Sequence, residues 1–82
     1  MFYVYILYSE QADRYYVGQT YNLDTRLKSH LSGISGYTSM TDDWQLVYSE
    51  EFATRNEAIK RENEIKRKKS RKYIEWLIQK KV

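Results

Sequence analysis

The sequence predicts an α+β fold, in which a small three-stranded antiparallel sheet is flanked by helices, from three observations. Residues 2–8, FYVYILY, are aromatic or aliphatic throughout, which is typical of a strand buried on both faces. Residues 15–19 form a second strand-like segment after a short polar connection, so the two strands are expected to pair as a hairpin. Leu23, Leu27 and Leu31 recur every four residues, which is typical of one face of a helix.

Polar residues mark where three helices are expected to begin. Asn22 and Thr54 each carry a side-chain oxygen that can accept an N–H group left without a partner in the first helical turn, and the last helix is expected to start at Ser70. Two of the three glycines lie in the segment SGISGYTSM, which indicates an exposed loop. The predicted elements are strands at 2–8, 15–19 and 44–50, helices at about 23–32, 55–69 and 70–80, and a loop at 32–40, in the order β-β-α-β-α-α.

Length and composition limit the class of protein. A chain of 82 residues without internal repeats or a Pro- or Ser-rich linker predicts a single domain over residues 1–82. The absence of cysteine excludes disulfides and thiolate metal sites, and it fits a reducing cytoplasm. No apolar run approaches the ~18 residues that a membrane span needs, and no signal-peptide pattern opens the chain. We therefore expect a soluble cytoplasmic protein.

Charge is distributed unevenly along the chain. Residues 1–54 carry three Lys or Arg against seven acidic residues, a net charge of −4, whereas residues 55–82 carry eleven against four, a net charge of +7. A basic C-terminal third beside a tyrosine-rich N-terminal half indicates a polyanionic partner, nucleic acid first. The alternative is a solvated helix face that lysine keeps soluble.

Glu62 occupies a position where packing alone would not place a charge. At about 100° per residue, it falls in the apolar stripe of the 55–69 helix, beside Ala58 and Ile65. A carboxylate there must be paired, bound to a cation or shifted in pKa, because an unpaired charge in low dielectric is costly. Its oxygens suit Mg²⁺ or Mn²⁺, which one or two carboxylates can hold together with water and phosphate. The alternative is a buried ion pair with an arginine of the first helix.

Arg26 and His30 lie four residues apart, so they are neighbours on one face of the first helix. A guanidinium can grip a phosphate and stabilise the charge that develops on it, and a histidine can transfer a proton. Each also has a simpler interpretation, in which Arg26 neutralises Glu62 and His30 is a surface residue without a role.

Tyrosine is unusually frequent, with nine in the chain. Strand packing accounts for most of them, because tyrosine suits half-buried strand positions. Tyr5 and Tyr16 lie in neighbouring predicted strands and are expected to share one face of the sheet, and Gly18 is a position where a ligand such as a phosphate could approach the backbone closely. Tyrosine, arginine, histidine and a lone carboxylate together form a set suited to phosphodiester cleavage.

Four segments carry a family resemblance. YVYIL at 3–7 and YYVGQT at 15–20 resemble the paired signature of the GIY-YIG nuclease domain, and YNLDTRLKSH at 21–30 and AIKREN at 58–63 follow in the family's order. The chain resembles the small single-domain members most closely, and the nuclease domain of the bacterial excinuclease C subunit more distantly. It departs from the signature at Tyr3, which replaces the first glycine and is expected to narrow access to the start of the strand.

The resemblance implies a role for each matching residue. Tyr5 is implied as the base that activates water, and Tyr16 as a helper that orients water or phosphate. Arg26 would stabilise the pentavalent phosphorane, and Glu62 would hold a single Mg²⁺ or Mn²⁺ at the scissile phosphate. His30 matches a position where many members keep a histidine and some a tyrosine.

The resemblance also implies a function, a metal-dependent endonuclease of low intrinsic sequence specificity that acts on DNA in repair or recombination, with RNA and branched forms as further candidates. The basic segment KRKKSRK would contact phosphates in place of a separate DNA-binding domain. The expected contacts are Lys66, Lys68, Lys69, Arg71 and Lys72. One alternative is a nucleic-acid-binding module that cleaves weakly or not at all, and another is a module whose basic helix binds an acidic protein.

Overall fold

The structure of the protein is a computed structural model. It describes residues 1–31, 41 and 43–81, except for the side chains of residues 29–31 and 81, so the predicted loop at 32–40 lies outside the described residues. The elements are β1 (Phe2–Ser9), β2 (Arg14–Thr20), α1 (Leu23–Leu31), β3 (Gln45–Phe52), α2 (Arg55–Lys68) and α3 (Arg71–Lys81). Their order is the predicted one. None of the helices in the described part of the chain is long and apolar enough to cross a membrane.

The sheet has the strand order β2-β1-β3, which places the most hydrophobic strand in the centre. β1 pairs antiparallel with β2, as the expected hairpin, and antiparallel with β3 on its other edge. Tyr5 lies opposite Gly18 of β2 and Ser49 of β3. Residues 4–7 of β1 are all buried, which confirms a strand covered on both faces. β3 continues two residues beyond the predicted end, to Phe52, because these residues still pair with the start of β1.

Two hydrophobic cores lie on opposite sides of the sheet, because successive residues of a strand point to opposite faces. One core lies between the sheet and helices α2 and α3. Its buried members are Val4, Ile6, Val17, Tyr48, Ala58, Ile65 and Leu77. The second core lies between the sheet and α1. Its buried members are Tyr5, Leu7 and Trp44, against which Tyr16, Leu23 and Leu27 pack.

Both predicted helix caps, Asn22 and Thr54, are present, and Ser70 caps the third helix in the same way. Asn22, Thr54 and Ser70 each accept, through a side-chain oxygen, the backbone N–H group three residues further along, at 3.1, 3.3 and 3.2 Å respectively. These bonds satisfy donors that the first turn of a helix leaves free. Lys69, the C-cap residue that follows α2, has a φ of 47° in the left-handed region, which turns the chain before α3 begins.

Arg71 fastens the start of α3 to the turn between β1 and β2. Its guanidinium donates to the Asp13 carboxylate at 2.5 Å and to Glu75 at 3.3 Å, and it lies 5.3 Å from the centroid of the Tyr15 ring. The hydrogen bonds from Arg71 and, secondly, from Tyr8 lower the pKa of Asp13 to about 2. Arg71, one of the expected nucleic-acid contacts, is thus engaged within the protein.

Candidate active site

Tyr5 lies at the centre of the candidate site. Its side chain is 1% exposed and packs with Leu7 and Trp44. The Nε of Arg26 donates a hydrogen bond to the Tyr5 hydroxyl at 3.3 Å. Burial raises the pKa of Tyr5 to about 12, and the hydrogen bond from Arg26 acts in the opposite direction without reversing the shift. Tyr5 is therefore a neutral phenol at neutral pH.

Tyr16 and Arg26 complete one side of the site. The ring centroids of Tyr5 and Tyr16 lie 6.2 Å apart. Both hydroxyls raise the pKa of Arg26, Tyr5 through the largest contribution and Tyr16 through a smaller one. Helix α1 brings the half-buried guanidinium here because Leu23 and Leu27, on the same helix, pack into the Tyr5 core. The expectation that Tyr5 and Tyr16 share one face of the sheet is confirmed.

Gly18 packs directly against the tyrosines of the site. A Cβ atom at this position would lie 2.6 Å from the Tyr5 hydroxyl oxygen, 2.8 Å from Tyr5 Cζ and 3.1 Å from a ring carbon of Tyr16. The backbone of Gly18 lies outside the left-handed region, so conformation does not require glycine. Space requires it, because the phenol of Tyr5 lies where a side chain of residue 18 would have to fit.

Glu62 approaches the site from α2, on the opposite side of the sheet. Its side chain is only 17% exposed, and it accepts a hydrogen bond from the Lys66 ammonium at 2.6 Å. Within the described residues, the cation paired with Glu62 is therefore Lys66 of the same helix rather than Arg26. The charge of Glu62 contributes to the raised pKa of Tyr5, although burial is the largest cause. The carboxylate thus acts electrostatically on the tyrosine that Arg26 contacts.

A surface cavity at the β2 edge of the sheet is lined by residues from both faces. Its volume is about 330 Å³, and it is lined by Tyr15, Tyr16, Val17 and Lys66. The ring of Tyr16 lies beside that of Tyr5, and the ammonium of Lys66 is ion-paired with Glu62. A ligand in this cavity would contact residues from both sides.

The remaining predicted site residues lie away from this group or outside the described side chains. The backbone of His30 belongs to α1, but its side chain is outside the described part. Lys68, Lys69 and Lys72 are exposed at the end of α2 and the start of α3. Trp44 was not among the predicted residues, although it packs against Tyr5, because its position before β3 gave no sign of which side of the sheet it covers.

The raised pKa of Tyr5 predicts a loss of stability at alkaline pH. The unfolded phenol releases its proton near pH ~10, whereas the folded one retains it up to about 12, so the free energy of unfolding should fall as the pH rises between these values. Tyr48 contributes in the same direction, because burial raises its pKa to about 12 too. Urea unfolding at several pH values gives the slope of the free energy of unfolding against pH. Tyr5→Phe should make this slope less steep, by the equivalent of up to about one proton released on unfolding. The exposed Tyr21→Phe is the control, and equal slopes for both variants would contradict the assignment.

The fold and the contacts at Tyr5 define a class of protein. The model of the GIY-YIG catalytic domain matches residues 1–74, and the chain belongs to this family. It is similar to the UPF0213 proteins SSP2268 of Staphylococcus saprophyticus and SH2523 of Staphylococcus haemolyticus, with 38% identity over 65 residues, 78% of this chain and 78% of each relative.

A solved structure extends this similarity to the fold. The solution NMR structure of the UPF0213 protein BH0048 from Bacillus halodurans aligns with 96% of this chain and 84% of its own, with 36% identity and a TM-score of 0.60. The predicted family and the predicted fold are thus confirmed. The family supports a nuclease-type function, with nucleic acid as the general class of substrate.

Proposed function

We propose that this chain is an endonuclease that depends on a divalent metal and hydrolyses phosphodiester bonds in DNA with low intrinsic sequence specificity, in repair or recombination in the cytoplasm. The observation that carries the proposal is the contact of Arg26 with Tyr5, beside Tyr16, together with a half-buried Glu62 whose charge acts on Tyr5. Each residue has a defined part in the reaction.

Arg26 binds the scissile phosphate and stabilises the negative charge that gathers on it. Its Nε donates to Tyr5 and the Tyr16 hydroxyl also acts on the guanidinium, whose planar fork of five N–H donors can bond a phosphate at the same time. Donors of this kind, fixed before the reaction begins, stabilise a charged transition state strongly. The half-buried setting of Arg26 and its hydrogen bond to Tyr5 hold the guanidinium in place.

Tyr5 takes the proton of the attacking water as a phenolate, after its own proton has passed to solvent water, and Tyr16 orients the water or the phosphate. With a pKa of about 12, Tyr5 becomes a base only when positive charge gathers near its hydroxyl. The hydrogen bond from Arg26 already lowers the pKa of Tyr5. A cation bound to Glu62 would neutralise the carboxylate and so remove one of the contributions that raise the pKa of Tyr5.

Glu62 fits the part of a single carboxylate ligand. It already attracts a cation, the ammonium of Lys66 at 2.6 Å. Mg²⁺ and Mn²⁺ suit a lone carboxylate, because one carboxylate, water and phosphate can complete their shell. Such an ion would act as a Lewis acid on the phosphate. Lys66, which is 51% exposed, would then leave Glu62 and bind a substrate phosphate.

The basic residues between α2 and α3 bind the nucleic-acid backbone without reading its sequence. Lys68, Lys69 and Lys72 are exposed there. Contacts of lysine with phosphates give affinity that falls steeply with salt and carry no sequence information. This supports low specificity, with Arg71 contributing mainly by holding α3 in place.

A cleavage assay on matched substrates tests the proposal. Single-stranded, duplex and branched DNA of one sequence, with an RNA counterpart, would be incubated with the purified protein in Mg²⁺, Mn²⁺ or EDTA. We expect products from at least one DNA substrate in the presence of metal and none in EDTA. Salt-sensitive binding to nucleic acid without cleavage in either metal would instead establish the alternative, a binding module that uses the basic helices.

A further inference from the structure

Helix α3 presents an aromatic surface that the candidate active site does not use. Trp76 is 51% exposed, whereas the other tryptophan of the chain, Trp44, is 2% exposed. The ring of Trp76 stacks with that of Tyr73, with centroids 5.8 Å apart and an angle of 26° between the planes. We call Tyr73 and Trp76 the aromatic platform. An exposed tryptophan beside a second aromatic ring leaves apolar surface in water that a planar ligand would cover.

Cations lie over both rings of the aromatic platform. The ammonium of Lys80 lies 5.0 Å from the centroid of Trp76, and that of Lys68 lies 5.3 Å from the centroid of Tyr73. Both lysines are exposed, so their side chains can move aside when a ligand covers the rings. Aromatic rings flanked by mobile cations are the combination with which proteins bind single-stranded nucleic acid, because bases stack on the rings and phosphates meet the cations.

A cavity of about 500 Å³ adjoins the platform, and its lining includes both aromatic and charged side chains. Its wall includes Trp76, Tyr73, Arg61 and Glu50. Arg61 bonds Glu50 at 3.3 Å and the Tyr73 hydroxyl at 3.2 Å, which fixes the Tyr73 ring. Glu50 also accepts a hydrogen bond from Tyr48, so both the Arg61 guanidinium and the Tyr48 hydroxyl hold its carboxylate in the wall of the cavity. The cavity falls within the size range of small-molecule sites, which is enough for a nucleobase.

We propose that the aromatic platform binds an unpaired nucleotide of single-stranded nucleic acid, with the base on Trp76 and the neighbouring phosphates on Lys80 and Lys68. The residues that line this cavity include none of Tyr5, Tyr16, Arg26 and Glu62, so the contact is separate from the candidate active site. The inference rests on the proposed function only in taking nucleic acid as the ligand. Binding at the aromatic platform would direct the protein to nucleic acids that contain an unpaired segment.

The test measures binding of a labelled single-stranded oligonucleotide in EDTA, where no metal-dependent cleavage occurs. Trp76→Ala should weaken binding about fivefold or more, because base stacking on an aromatic ring contributes this much per base. Trp76→Phe should retain most of the affinity, and Leu46→Ala, which truncates another exposed apolar side chain, should retain all of it. Binding should also quench the fluorescence of the wild type but not of Trp76→Phe, in which only the buried Trp44 emits.

An oligonucleotide of equal length and charge that carries abasic sites separates stacking from phosphate contacts. It should bind the wild type more weakly than the intact strand, and it should bind Trp76→Ala as well as the intact strand does. Three outcomes would each overturn the inference. The wild type and Trp76→Ala could bind the intact strand equally, the abasic strand could bind more weakly than the intact strand by the same factor in both proteins, or the wild type could fail to bind single strands. Failure of the proposed cleavage would leave these measurements intact, so the two outcomes are distinguishable.

Discussion

Glu62→Gln should lower the rate of phosphodiester cleavage by about 100-fold or more, because it removes the charge that would hold the divalent ion at the scissile phosphate. The fold should survive, since the pair that Glu62 forms with the half-exposed Lys66 is of the kind that contributes at most about 0.5 kcal/mol. Binding of Mn²⁺, measured directly by calorimetry, should be lost with the activity. Affinity for nucleic acid in EDTA should remain within about threefold, because the phosphate-binding lysines are unchanged.

Glu64→Gln is the matched control for this prediction. Glu64 lies on the same helix as Glu62, but it pairs with Arg61, whereas Glu62 pairs with Lys66. We expect it to leave the cleavage rate and Mn²⁺ binding close to those of the wild type. If the two variants lose activity equally, or if Glu62→Gln still binds Mn²⁺, the assignment of Glu62 as the metal ligand is wrong.

Gly18→Ala should both destabilise the protein and reduce cleavage. In a strand position without special backbone conformation, replacing glycine by alanine ordinarily stabilises a protein. Here the new methyl group would lie 2.6 Å from the Tyr5 hydroxyl oxygen, so the phenol must retreat by roughly 1 Å to reach an ordinary contact distance. Overpacking of this kind costs about 1–3 kcal/mol. Displacing Tyr5 from Arg26 by that amount should also cost about 100-fold in rate.

The double variant Tyr5→Phe, Gly18→Ala tests whether the Tyr5 phenol causes the loss of stability in Gly18→Ala. Phenylalanine lacks the hydroxyl oxygen that makes the shortest contact, although Cζ at 2.8 Å remains. The loss of stability caused by Gly18→Ala, measured by urea unfolding, should therefore be smaller in the Tyr5→Phe protein than in the wild type. An equal loss in both backgrounds, or a gain of stability in the wild type, would show that the phenol does not fill this space.

The fold was predictable from the sequence because local patterns and the overall architecture agree. The caps at Asn22, Thr54 and Ser70 fixed where the helices begin. The two-residue period of a strand placed Tyr5 and Tyr16 on one face, and the structure brings them there.

The partners of the charged side chains were not predictable in the same way. Periodicity correctly placed Glu62 in a half-buried setting, but it did not distinguish Arg26 from Lys66 as its partner. Long side chains choose partners by distances in three dimensions, which spacing along the chain does not give. Arg71 illustrates the same limit, since its engagement with Asp13 depends on how α3 meets the hairpin turn.

The role of Gly18 depended on a neighbour across the sheet. The sequence indicated that a ligand could approach the backbone closely at Gly18, and this stays a prediction. It did not indicate that the space is filled by the phenol of Tyr5, because strand register is set by the turn and the core together. The tightness of this contact is also what makes Gly18→Ala an informative variant.

The most direct test of the central claim, that Tyr5, Tyr16, Arg26 and Glu62 form one hydrolytic site, is a comparison of single-turnover cleavage by the wild type and Glu62→Gln. Both proteins would be purified identically and used in excess over a labelled DNA substrate with Mn²⁺. We predict product from the wild type, none without metal, and at most about 1% of the wild-type rate from Glu62→Gln. Equal rates from the two proteins would contradict the claim, because the cleavage would then arise elsewhere.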